Sequence, residues 1–151
     1  MTAEVVATLT RYLALCDVPA GAAGPPTDLS ALGDLFTEDA VWEGGGSDYA
    51  AKFGRTEGRA AIVTMLAGYL PPSPHFRANV HLLFPGTAHA DADGSSAHGS
   101  WLMQQLSRYD SGQTEVMVAR LDVSFRLAPD RPRMSAFRTE RLFSAPLREG
   151  P

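Results

Sequence analysis

The chain predicts an α+β fold in which helices come first and a curved antiparallel sheet then wraps around them. Two observations carry this. Up to Tyr69, apolar residues recur at the three- and four-residue spacings of amphipathic helices. From His75 onward they alternate with polar residues at the two-residue period of strands. Segregated helices and strands, joined by short turns, are the α+β layout rather than the alternating α/β one.

Residues 2–16 read as the first helix, with Thr2 as N-cap and Glu4 in the first turn. Val5, Leu9, Tyr12, Leu13 and Cys16 form its core-facing stripe, and Asp17 closes it. Pro19–Pro26 is a Gly/Ala/Pro connector without periodicity. Thr27 or Asp28 caps a second helix whose apolar face is Leu29, Leu32, Leu35 and Phe36, ending at residues 37–39. A short extended piece at residues 40–43 stops at Gly44-Gly45-Gly46, and residues 47–55 read as a loop. A third helix opens at Glu57 or Gly58, runs through Ile62, Met65, Leu66 and Tyr69, and breaks at Pro71-Pro72.

Strands follow at residues 75–84, 87–92, 97–106, 114–127 and 134–143. Pro85-Gly86, the hairpin signal Asp93-Gly94, residues 108–112 and residues 129–132 turn the chain between them. Val116, Val118, Leu121, Val123 and Phe125 alternate clearly, with an irregularity near Ala119. Residues from 146 onward read as a tail.

At 151 residues this is one domain, 1–151, large enough to bury a core without staples. Thirteen basic against seventeen acidic residues leave no patch able to track a phosphate backbone, which argues against nucleic acid. The single cysteine, Cys16, excludes an internal disulfide and fits a reducing compartment. No apolar run reaches membrane-span length and no signal peptide pattern is visible, so a cytoplasmic protein without a membrane partner is expected.

The strand at residues 75–84 has two unlike faces. Phe76, Ala78, Val80, Leu82 and Phe84 fall on one, and His75, Arg77, Asn79 and His81 on the other. Two histidines and an asparagine in line either form an ordinary wet surface or line a polar cavity. His75 and His81 stand roughly 20 Å apart along a straight strand, too far to share a metal, and Asp39 and Glu43 complete no recognisable ligand set. No metal site is expected. The triple glycine lacks the Lys-Ser/Thr of a phosphate cradle. Trp42, Trp101, Met103 and Phe125 suit the apolar wall of a pocket, although residues of this type at these spacings are more often plain core.

Leu35-Phe36-Thr37-Glu38-Asp39-Ala40-Val41-Trp42, Gly58-Arg59-Ala60-Ala61-Ile62, the strand from His75 to His81, and the closing residues 139–147 together resemble the SnoaL-like branch of the nuclear transport factor 2-like superfamily. The likeness covers nearly the whole chain. It implies a cone, open at one end, with a deep pocket between helices and concave sheet, binding a small hydrophobic molecule. It also implies a homodimer or homotrimer built on the convex face. Within the superfamily the arrangement is most similar to lindane dehydrochlorinase and bile-acid 7α-dehydratase, lyases that use no cofactor and rest on an Asp–His dyad.

On that resemblance the family Asp matches Asp17, and the His of an H-x-x-x-N strand matches His75 with Asn79. The Tyr five residues before the Asp matches Tyr12. Asp17–His75 would then be the general base, Tyr12 an acid or polariser, and Asn79, His81, Trp42, Trp101, Met103 and Phe125 the substrate-binding set. Two departures stand out. The family Arg of the last strand has no counterpart near Ser135, with Arg133 and Arg138 close by, and a further acidic residue is replaced in the Ser100-Trp101 region. The expected activity is elimination from a small, cyclic, hydrophobic substrate. The alternatives are a ketosteroid-isomerase-like or polyketide-cyclase-like isomerase, or a non-catalytic binding module.

Overall fold

A computed structural model of the protein describes residues 2–19 and 25–148. Most of the predicted connector at 19–26 and the last residues of the tail lie outside them. The element order is α1 (Thr2–Cys16), α2 (Leu29–Gly33), β1 (Phe36–Gly45), α3 (Gly46–Phe53), β2 (Arg55–Glu57), α4 (Arg59–Ala67), then β3 (Phe76–Leu83), β4 (Thr87–Ala90), β5 (Ser96–Tyr109), β6 (Thr114–Leu127) and β7 (Pro132–Pro146). The strands form one curved, unclosed sheet in the order β2-β1-β7-β6-β5-β3, with β4 paired to β5.

The class is as expected, and three details differ. The sheet is mixed, because β1 runs parallel to β7. The second helix is only five residues long, held by the Asp28 carboxylate accepting from the Ala31 N–H at 2.9 Å. Leu35 and Phe36 share its spacing but lie beyond its end, Leu35 in the turn and Phe36 opening β1, where pairing with β7 overrides the local pattern. The predicted loop at 47–55 holds a helix instead, α3. Its start turns on Gly46 at φ 69°, in the left-handed region that favours glycine. Gly44 has no space for a side chain because the Tyr49 carbonyl lies against it.

The α1 stripe is buried as its spacing requires, with Val5 and Leu9 fully inaccessible. Thr8 sits on the same face, its hydroxyl donating to the Glu4 carbonyl at 3.1 Å. The long strands alternate cleanly, and the irregularity near Ala119 is a bulge between Val118 and Ala119 against β7. Among the described residues, no helix is long and apolar enough to cross a membrane.

The faces of β3 settle its two-sided sequence. Asn79 is 2% exposed, whereas Val80, Leu82 and Phe84 are each over 40% exposed. Asn79 and His81 of the polar face look inward and Val80, Leu82 and Phe84 look out from the convex side, whereas Arg77, expected beside Asn79, is exposed and lies 3.9 Å from Asp110. Phe76 breaks the alternation through a register shift between Phe76 and Ala78, and so joins the inner side.

Candidate functional site

A cavity of about 190 Å³ lies between the helices and the concave sheet. Part of its lining is apolar, with Leu13, Trp42, Leu66 and Phe137. Its lining also carries Lys52, Tyr109, Glu115 and Arg141. The β3–β5 wall contributes Asn79, His81, Met103 and Gln105.

The wall is tied to α1 by a short length of chain. β3 is the last strand of the sheet, and a bare edge would leave N–H and C=O groups unpaired. Val18, just past α1, covers it: its N–H donates to the Asn79 carbonyl at 2.8 Å and its carbonyl accepts from the Asn79 N–H at 2.9 Å. In antiparallel pairing a step back on one chain is a step forward on the other. Asp17 therefore falls beside Val80 and His81, and His75 lies four residues the other way.

That register corrects the expected pairing. Asp17 Oδ1 accepts the His81 backbone N–H at 2.9 Å and stands 2.7 Å from His81 Nδ1. Asp17 thus meets His81, not His75. A histidine that donates Nδ1–H to a carboxylate leaves Nε2 as the ring nitrogen open to another partner, and His81 lines the cavity. The His81 side chain is 9% exposed and that of Asp17 is 36% exposed, so the histidine is in the wall and the carboxylate is behind it.

His75 also lines the cavity, but among aromatic rings. Tyr69, Phe76 and Tyr109 meet it edge-on, with centroids at 4.9, 4.4 and 5.7 Å. Burial and then the Lys52 charge hold its pKa below the ordinary histidine value, favouring the neutral ring.

Tyr12 faces the cavity from α1 and is 4% exposed. Its hydroxyl oxygen accepts from Trp42 Nε1–H at 3.0 Å. Burial first, then the neighbouring Cys16, pushes the phenol well above its usual pKa, so it keeps its proton. Cys16 is likewise pushed up to about 12 by burial and stays a thiol. Trp42 stacks on Phe137 at 5.5 Å, forming the apolar floor.

Asn79 lies on the same inward face as His81. Its Oδ1 accepts Ser107 Oγ–H at 2.7 Å and Gln105 Nε2–H at 2.9 Å. Met103 lines the cavity as expected. Trp101 and Phe125 do not: they pack against each other at 6.3 Å in the solid part of the core. The indole fills space left by Gly86 and Gly99, which have no side chains to occupy it. Among the described residues, no group of three or more His, Cys, Asp or Glu is placed to hold a metal ion.

The sequence reading missed the polar end. Tyr49 and Lys52 were hidden in a stretch read as loop, although Tyr49 and Phe53 already stand at helical i, i+4 spacing. Gln105 and Tyr109 continue the inward alternation of Met103 on β5, and that period was the available signal. At this end Tyr109 O–H donates to Glu115 Oε1 at 2.9 Å, and Tyr109 is pushed up to about 12 by burial and by that bond. Arg141 Nη2 meets Asp48 at 2.7 Å, and the Lys52 ammonium lies 4.9 Å from the Phe53 ring centroid.

A cone of helices inside a curved sheet, with a polar-walled cavity at its centre, defines the nuclear transport factor 2-like class. Residues 2–138 match the SnoaL-like domain, and the chain belongs to that family. A hexachlorocyclohexane dehydrochlorinase, LinA type 2, superposes with a TM-score of 0.78 at 13% identity, covering 99% of this chain and 90% of the other. A candidate scytalone dehydratase from Novosphingobium aromaticivorans gives 0.77 at 12% identity, covering 99% and 89%. ActVI-ORFA from Streptomyces coelicolor gives 0.68 at 14%, covering 93% and 96%. At these identities the likeness is one of fold. No curated protein matches the chain.

Proposed function

We propose that the chain is a cofactor-independent lyase or isomerase. On this reading His81 removes a proton from a small, hydrophobic, cyclic substrate. The observation that carries it is the 2.7 Å contact between Asp17 Oδ1 and His81 Nδ1, set in the wall of a cavity. The carboxylate fixes the tautomer and stabilises the imidazolium formed when Nε2 takes the proton. Tyr12, held protonated, supplies a hydrogen-bond donor from α1, the helix whose end carries Asp17. His75 serves as a neutral wall residue. Trp42, Met103 and the apolar floor exclude water and favour a ring system. The solved dehydrochlorinase and the candidate dehydratase of the same fold support elimination as the outcome. An isomerase shares the first step, but His81 returns the proton to a different carbon and no small molecule is lost.

The test is exchange of ring-ketone α-hydrogens in heavy water, using a panel that includes 1-tetralone and cyclohexanone. His81→Ala should lower the enzyme-dependent rate about 10²–10⁴-fold, the usual worth of a positioned base, and leave the fold intact. An unchanged rate removes His81 from the mechanism. No exchange by the wild-type protein across the panel favours a binding module.

The expected oligomer has support on the convex face, where Val80, Leu82, Leu102, Leu106 and Phe143 are exposed. Val80 lies opposite Leu106, Leu106 opposite Val116, and Phe143 opposite Val118, so the apolar surface is continuous across four strands. Solitary exposed apolar residues need no explanation, but a contiguous patch marks an interface. A second copy of the chain is its proposed partner. Light scattering should show a dimer or trimer that Leu106→Glu converts to monomer.

A further inference from the structure

α3 brings to the cavity two side chains whose hydrogen-bond donors the protein itself hardly uses. Tyr49 and Lys52 stand three residues apart on this helix, so they share one side of it. Both belong to the cavity lining. Tyr49 is 6% exposed, whereas Lys52 is an exposed residue, so the lysine stands where the cavity meets solvent and the tyrosine lies deeper.

The Lys52 ammonium carries three N–H donors and no acceptor. It lies 4.9 Å from the Phe53 ring centroid and 6.0 Å from that of Tyr49. Ring faces attract a cation without satisfying its donors as an oxygen does. Among the described residues, no carboxylate or other oxygen stands within ion-pair or hydrogen-bond reach of this nitrogen. The carboxylates near it are engaged elsewhere: Asp48 with Arg141 Nη2 at 2.7 Å, and Glu115 with Tyr109 O–H at 2.9 Å. Burial first, then the opposing pulls of Glu115 and Arg141, holds the Lys52 pKa below the ordinary lysine value. The residue as a whole is exposed, but its charged end has lost part of its hydration. Tyr49 is in a similar position. Burial pushes its phenol up to about 12, so it keeps its proton and remains a donor. Its O–H goes to the Met117 sulfur at 3.3 Å, and a thioether is a weak acceptor. Arg141 lies 5.7 Å from the centroid of the same ring and adds positive charge beside it.

We propose that Tyr49 and Lys52 form a carboxylate-binding subsite, and that the ligand is an amphipathic acid whose ring system lies against the apolar lining at Trp42 and Phe137. The proposal rests on the cavity as the ligand site and not on His81 as the base. A carboxylate oxygen accepts from the ammonium and takes the place of the Met117 sulfur as the acceptor for Tyr49 O–H. Both bonds are then charge-assisted, the stronger kind. Arg141, already matched by Asp48, contributes through its charge alone. The acid enters with its ring ahead and its carboxylate toward solvent, so the subsite fixes orientation as well as affinity.

The probes are 2-naphthoate and 2-naphthamide, an anion and a neutral molecule of the same shape, titrated by ligand-observed NMR at low salt. Wild-type protein should prefer the naphthoate by about tenfold, the lower end of what a hydrogen bond to a charged group contributes. Lys52→Met keeps the length of the side chain and removes its charge. It should abolish the preference while naphthamide still binds, which also verifies the fold, and Lys52→Arg should retain the preference. Tyr49→Phe should cut it several-fold. Failure of both probes to bind wild-type protein, equal binding of the two, or a preference that survives Lys52→Met overturns the proposal. A full preference in Tyr49→Phe removes the tyrosine from the subsite. His81→Ala separates this proposal from the reading of His81 as base. A preference lost in His81→Ala and kept in Lys52→Met would place the carboxylate at the histidine and overturn the subsite. Ketone exchange that needs His81, without any preference for naphthoate, keeps the base and removes the subsite. Naphthoate preference without exchange keeps the subsite and removes the base.

Discussion

The two ends of the concave sheet are built from the same strands by the same alternation, yet one is solid and the other hollow. At the solid end, Trp101 on β5 and Phe125 on β6 interlock, Phe125 fully inaccessible, with Gly86 and Gly99 giving the indole room. At the hollow end the inward residues of β3, β5 and β6 are Asn79, His81, Gln105, Ser107, Tyr109 and Glu115. Each brings polar atoms that close packing would strand, and here they bond to one another or face the cavity. Alternation determines which residues point in. The polarity of those residues determines whether anything can close over them.

The comparison makes unequal demands on substitutions. Phe125→Ala should cost the most, about 3–5 kcal/mol, because a close-packed site collapses poorly around a lost ring. At this chain length the melting temperature should fall by roughly 10 °C, while the hydrogen-bonded residues of the far end keep their places. A loss well below that would mean the solid end is looser than its burial indicates. At the hollow end His75→Gln should have a small effect that depends on pH. Burial and Lys52 hold the folded-state pKa of His75 below its unfolded value. As pH falls below about 6.5, the unfolded chain takes up this proton first, so wild-type stability declines with acidification. The variant lacks that component, and its melting temperature should fall less steeply from pH 6.5 downward. Parallel declines for both proteins would place His75 in a more open setting than its three ring contacts imply.

Much of the fold was legible because it is encoded over short distances. The α1 stripe, the limits of β6 and the bulge at Ala119 all follow from period and polarity within one element. What local pattern hid was set by distant partners. Leu35 and Phe36 carry helical spacing, yet β7, about a hundred residues later, draws Phe36 into a parallel ladder. The site was legible in kind but not in pairing. Asp17, Asn79 and two histidines on one face were visible, and the inward polar wall followed from them. Which histidine meets Asp17 depends on the Val18–Asn79 bridge, a register between a helix end and a strand edge that has no sequence signature. Trp101 and Phe125 were read as pocket walls because an aromatic residue carries the same pattern in solid core as beside a cavity.

The placement of Asp17 has one more consequence. Its carboxylate is more than a third exposed on the outer side of the wall, while His81 borders the cavity on the inner side. A ligand that plugs the cavity leaves this rear contact with solvent uncovered. The two partners of the contact thus sit in unlike surroundings: the carboxylate keeps part of its hydration whatever fills the cavity, while the imidazole beside it is almost wholly enclosed.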